Sequence, residues 1–188
     1  MTVEWWQHRH RFDLFVSEAV LQEAAGGDPS VAARRMAAIQ GISVLELTAP
    51  VVGLAWALIA GHAVPATAAV DAVHIAVAAV NGMDLLLTWN CTHITNAATR
   101  GMIERVCRAG ASSPRDLHTG RFDGGVTMAR DPIVEEVRAI RDAFAKRHNY
   151  DIDAIVRALQ QASADGGRQV VSLPSKRFKE EDERRKVD

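Results

Sequence analysis

The sequence predicts an α/β domain whose parallel sheet is flanked by helices, followed by a C-terminal helical hairpin. Three observations carry this. Between Leu14 and Arg108, short β-type runs alternate with longer helical ones, as expected of parallel strands joined by helical crossovers. From Ala109 to Asp131 that periodicity disappears under Gly, Ser, Pro and Asp, as in a linker. After Pro132, apolar residues return at helical spacing.

The elements follow in order. Leu14–Val16 is the first strand candidate, and Ser17 can cap a helix running toward Ala25, before the Gly26-Gly27-Asp28-Pro29 break. Pro29 suits the opening of a helix through about Gln40. A second strand is expected at Ser43–Leu47, then a helix through Trp56 to about Ala60, with Gly61 as its stop. Pro65 opens another helix, in which Val70, Val73, Val77 and Val80 recur at spacings of three and four and so bury one face, with Gly82 ending it. Leu85–Thr88 reads as an apolar strand and Ile94–Arg108 as a helix. Beyond the linker, Ile133, Val137, Ile140 and Phe144 form one stripe, and Ile152, Ile155, Val156 and Leu159 form a second from Asp151 onward. The tail "SKRFKEEDERRKVD" is mixed in charge and is expected to remain largely disordered. The expected units are therefore 1–110, a linker at 111–130, and 131–188.

Bulk properties narrow the function classes. A length of 188 residues suits one domain, or one domain plus a small module. With 22 Lys and Arg against 23 Asp and Glu, the net charge of −1 offers no global attraction for nucleic acid, so any RNA contact must be local. The longest apolar run, Ala49 to Ala60, falls short of the ~20 residues of a membrane span, so no membrane partner is expected. The stretch from Met1 to Asp13 is charged and aromatic, so no secretory leader is expected in it. Only Cys91 and Cys107 are present, which fits a reducing cytoplasm better than a disulfide framework.

The segment "AVDAVHIAVAAVNGMDLLLTWNCTHITNA", Ala69 to Ala97, is the most informative. Asp71 lies inside an otherwise apolar helix, where an unpaired carboxylate is costly; a salt bridge or an edge position would account for it as well as a functional role. Asn90 follows an apolar strand and so lies near the strand's carboxyl end, where open α/β sheets place ligands, although a loop Asn also serves as a turn former. His74 and His93 have no Cys or acidic neighbours at zinc-like spacing and read as hydrogen-bonding residues before metal ligands. Glu23 reads equally as a solvated helix residue.

These residues carry a resemblance. "VDAVHIAVAAVNGMDLLLTWNCTHITNA" resembles the signature of PIN-domain ribonucleases of the VapC toxin type, and "EWWQHRHRFDLFVSEAVLQEAAGGDP" resembles the same subgroup, so the likeness covers roughly residues 4–108. It implies a PIN-like parallel sheet and a metal-dependent ribonuclease of a toxin–antitoxin system. It also implies Glu23, Asp71 and Asn90 as catalytic and metal-holding positions for magnesium or manganese (Mg2+ or Mn2+), which prefer oxygen ligands. RNA would be the substrate, an antitoxin or the chain's own C-terminal segment would be a partner, and a homodimer is plausible for the family. The resemblance also calls for a first acid on an opening strand upstream of Glu4-Trp5-Trp6, which this sequence does not include. Impaired metal binding and exposed sheet edges are the expected consequences. A non-catalytic remnant that pairs with a toxin or antitoxin is the alternative.

After "MIERVCRAG" the likeness stops. Codons compatible with Arg115 to Thr127, read one nucleotide later, spell Val-Ile-Cys-Thr-Pro-Glu-Asp-Leu-Met-Glu-Ala and a stop, which resembles the family's own ending. On that reading 111–127 is a frameshift product without selected structure, and Met128 starts a neighbouring small protein. The stretch from Asp131 to about Arg177 resembles short proteins encoded beside such toxins. An antitoxin-like role, with the helix pair on an apolar groove and an extended basic peptide at the acidic site, stands beside the plainer reading of a hairpin that packs on any apolar surface. Sequencing the gene tests the junction: the next frame from Arg115 should read Val-Ile-Cys-Thr-Pro, and any other reading removes the frameshift account.

Overall fold

The computed structural model describes residues 6–88, 94, 97–110, 118–119, 132–164 and 167–174. Strand β1 spans Phe15–Ser17, one residue later than expected. Ser17 nevertheless acts as the cap: its Oγ accepts from the Val20 N–H at 3.4 Å and starts α1, Glu18–Ala25. Helix α2, Pro29–Ala38, is capped by Asp28, whose Oδ1 accepts from the N–H groups of Ser30 at 2.8 Å and Val31 at 3.1 Å. A carboxylate here also faces the positive end of the helix dipole. Strand β2, Ser43–Leu45, stops short of Leu47, and α3 covers Ala49–Ala60 with Pro50 in its first turn.

Pro65 opens a 3-10 turn, Ala66–Ala68, rather than the helix itself; α4 then runs Ala69–Val80. Strand β3 is only Leu85–Leu86, and α5, Ala97–Gly110, runs past the Arg108 expected as its end. Within the stretch expected to lack regular structure, His118–Thr119 forms β4. The second half supplies α6, Pro132–Arg147, and α7, Ile152–Ala164, and then a strand the sequence did not announce, β5, Val170–Val171.

Two parallel sheets result among the described residues. One has the order β1-β2-β5, with Val16 opposite Val44 and Val44 opposite Val170. The other pairs β3 with β4, Leu85 opposite His118. Strand β5 is bonded across the edge of β2: Val44 N–H donates to the Gln169 carbonyl and Glu46 N–H to that of Val171, both at 2.9 Å. Beside it, the side chain of Asn81 accepts from the Leu173 N–H at 2.9 Å. An extended C-terminal segment thus covers backbone groups that would otherwise be open to pairing with another chain. By contrast, Leu85 and Leu87 are about half exposed.

The core corrects one expectation about α4. Every residue from Ala69 to Ala79 is buried, not only the valine stripe. Alanines at 72, 76, 78 and 79 let neighbouring elements approach from several sides, α3 and α1 among them, while α6 and α7 cover another side. Ile152, Ile155, Val156 and Leu159 of α7 belong to the same buried cluster as Leu54, Leu58, Val70 and Val73. Helices α6 and α7 make their main contacts with the first half of the chain. Among the described residues no helix is long and apolar enough to cross a membrane.

This shared core has a measurable consequence. Ile155→Ala empties a fully buried position and should lower the unfolding free energy by about 2–5 kcal/mol. Urea unfolding followed by circular dichroism should stay a single transition. Two resolved transitions would show that residues 132–174 fold apart from the rest.

Candidate functional site

Two carboxylates meet in the interior. Glu23 comes from the last turn of α1, placed by the Ser17 cap and the strand before it; Asp71 comes from the first turn of α4. They are 6% and 2% exposed. His74, one turn beyond Asp71, is buried with them, and its Nε2 lies 2.9 Å from Glu23 Oε1. An ionised carboxylate only accepts, so the ring presents its N–H at Nε2.

The third element at this site is a cation supplied by the second half of the chain. From α6, Arg141 donates Nε to Glu23 Oε1 at 2.6 Å and Nη2 to Glu23 Oε2 at 2.9 Å, while Nη1 reaches Asp71 Oδ1 at 2.5 Å. The guanidinium therefore grips Glu23 with two parallel bonds and Asp71 with a third, the fork geometry that makes arginine the preferred partner of carboxylates. Burial alone would raise the Glu23 carboxyl above its ordinary 4.5; the adjacent His74, by charge and hydrogen bond, and Arg141 outweigh it and bring the value down to about 2.

A second polar contact fixes the approach of α6. Arg35 on α2 donates Nε to the Ala24 carbonyl at 3.2 Å and reaches Glu136 Oε2 at 3.5 Å, while Glu136 Oε1 accepts from the Asp28 N–H at 3.3 Å. The turn beneath is glycine because α6 comes close. A Cβ at Gly26 would lie 2.7 Å from Ile140, and one at Gly27, whose φ is +78°, would lie 2.1 Å from Glu136.

Of the residues proposed from sequence, Glu23 and Asp71 are brought together, with His74 beside them. Glu23 is buried, which removes the alternative of a solvated helix residue. Asn90 and His93 lie outside the described residues. Sequence reading missed Arg141, Arg35 and Glu136. The clue to Arg141 was available: with Val137 and Phe144 it follows the i, i+4, i+7 spacing of the apolar stripe, so the arginine lies on the core-facing side and needs an acid.

Among the described residues no group of three or more His, Cys, Asp and Glu is arranged to hold a metal ion. The donor chemistry of Glu23 and Asp71, two carboxylates within the span of one guanidinium, suits a hard cation that keeps several waters and needs only one or two carboxylates. That fit holds only when Arg141 is withdrawn, because its nitrogens engage the same oxygens. Comparison with known proteins returned nothing: no family model, no curated protein and no solved structure matches this chain.

The depressed Glu23 carboxyl sets a pH dependence. Its folded value of about 2 lies below its ordinary 4.5, so its contribution is present in full above 4.5 and fades as pH falls from there toward 2. Glu23→Gln should remove that slope, a difference on the order of 3 kcal/mol across the window. Urea unfolding at pH 7, 4 and 2.5 measures it. Equal loss of stability on acidification in both proteins would contradict the assignment.

Proposed function

We propose that this chain is a PIN-like, metal-dependent endoribonuclease fold of the toxin–antitoxin type whose acidic site is blocked by its own C-terminal helix. The single observation that supports the reading is the convergence of Glu23 and Asp71, the two acids named by the resemblance, on one guanidinium. Glu23 and Asp71 would hold Mg2+ or Mn2+, and Asn90 would add a polar ligand. When bound, such an ion activates water and neutralises the phosphate. His74 orients Glu23 through its hydrogen bond, and Arg141 must leave before the carboxylates are available. A first acid on an opening strand would complete the set. RNA is then the substrate, the C-terminal helix pair acts as an antitoxin-like partner in cis, and the cytoplasm is the expected location, with a homodimer as the family's usual assembly.

The second reading is a non-catalytic remnant that binds a related toxin or antitoxin. It is favoured by the occupied acid pair. Incubating single-stranded RNA with Mg2+ or Mn2+ separates the two. The chain as it stands should cleave little. Arg141→Gln should gain metal-dependent cleavage, and Asp71→Asn added to it should lower the rate by about 10² or more, the cost of misplacing the attacking group. If Arg141→Gln is folded yet inert with both metals even after an opening strand with its acid is added, the ribonuclease reading fails and the binding one stands. If the unaltered chain cleaves RNA and Asp71→Asn alone abolishes this, the block is refuted and the nuclease survives.

A further inference from the structure

Helices α6 and α7 are adjacent in sequence, yet they are held to the rest of the chain by different forces. The described positions 134–143 of α6 are all half-buried or exposed; only Phe144 and Ala145, beside the turn into α7, are buried. Apart from Ile140 on the Gly26-Gly27 turn, what fastens that stretch is polar: Arg141 on Glu23 and Asp71, and Glu136 between Arg35 and the Asp28 N–H. Helix α7 is fastened by apolar burial through Ile152, Ile155, Val156 and Leu159, each 3% exposed or less. The Gln160 amide also donates to the Leu47 carbonyl at 2.6 Å, and the chain beyond continues into β5, bonded by its backbone to β2. The turn between the helices contains two consecutive non-glycine residues in the left-handed region, Asn149 at φ 51° and Tyr150 at φ 58°, so the helical backbone is broken there.

We infer that α6 is a latch and α7 with β5 its anchor: α6 opens at the Asn149–Tyr150 turn and uncovers Glu23, Asp71 and His74, while α7 and β5 stay docked. The forces account for the order of events. The partly exposed Arg35–Glu136 pair and the half-buried or exposed positions on either side of Arg141 are open to water and competing ions, whereas the burial of four aliphatic side chains is not. Local opening follows the weakest set of contacts, and in this half of the molecule that set is α6. The anchor keeps Arg141 tethered near its acids, so closing needs no search for a partner. The inference goes beyond the ribonuclease reading and does not depend on whether the uncovered acids cleave anything.

Hydrogen exchange measured by segment on the full chain tests it. In the unaltered protein, amides of 134–143 should exchange faster than those of 152–164. Arg141→Gln should lower protection of 134–143 by about tenfold or more, because hydrogen bonds to charged groups of this kind are worth at least that factor, and should leave 152–164 and 170–171 unchanged. His74 should in parallel become accessible to diethyl pyrocarbonate, read at that peptide by mass spectrometry. If Arg141→Gln does not fold, Glu136→Gln, which releases the other polar contact, should loosen the same segment to a smaller degree. Equal loss of protection across α6, α7 and β5, or protection of 134–143 matching that of 152–164 in the unaltered protein, would overturn the inference.

Discussion

A carboxylate placed within a helix that is buried on every side has to be compensated from outside that helix. Asp71 is such a group: its own helix supplies only alanine, valine, isoleucine and His74, and the histidine is committed to Glu23. Leaving one charge unpaired in such a setting is more costly than almost any other local defect. The position of α6 follows from this requirement. Arg141 has to reach both acids, the Gly26-Gly27 turn has to be free of side chains for α6 to come near enough, and Glu136 with Arg35 sets the angle of approach. The first and second halves of the chain are joined in one core by apolar packing, but their register is set by charge.

The sequence announced the helices better than the strands, and the reason is length. Helices such as α3, α4, α6 and α7 have enough residues for a 3.6-residue period to show, whereas β1, β2 and β5 have two or three residues each, too few for any period. Caps were legible where chemistry is local: Ser17 before α1 was read directly from its residue type. Strand β5 was not legible, because Val170 and Val171 carry no alternation, and only the exposed edge of β2 gives them a reason to extend. The complete burial of α4 was hidden for a related cause. Its alanines look neutral in a single helix and become informative only once several neighbours press against them.

The site was half legible. Glu23 and Asp71 were named from the resemblance, and Asp71 also stood out as a charge in an apolar run, but nothing local to either residue indicated that they would meet. Their meeting depends on how α1 and α4 pack. Arg141 was overlooked because its helix was read for its apolar stripe, and an arginine on that stripe looks like an interruption. An extended basic peptide was expected at the acids; among the described residues a guanidinium reaches them from a helix, and the extended segment Val170–Val171 pairs with the sheet edge.

Stability alone is a poor explanation for this arrangement. Buried ion pairs seldom improve on apolar residues of similar volume, because desolvating the charges offsets most of their attraction. Aliphatic side chains of similar volume often replace such buried pairs at little cost, so stability by itself gives a core little reason to hold Glu23, Asp71, His74 and Arg141. A buried carboxyl such as Glu23, held well below the usual carboxylate range beside His74 and Arg141, is the kind of group that recurs at functional sites. The division of labour between the last two helices agrees with that view. Apolar contact is strong but weakly directional, so α7 and β5 decide that the second half stays attached; a guanidinium fork on two carboxylates is directional and sensitive to its surroundings, so α6 decides whether the acids are covered.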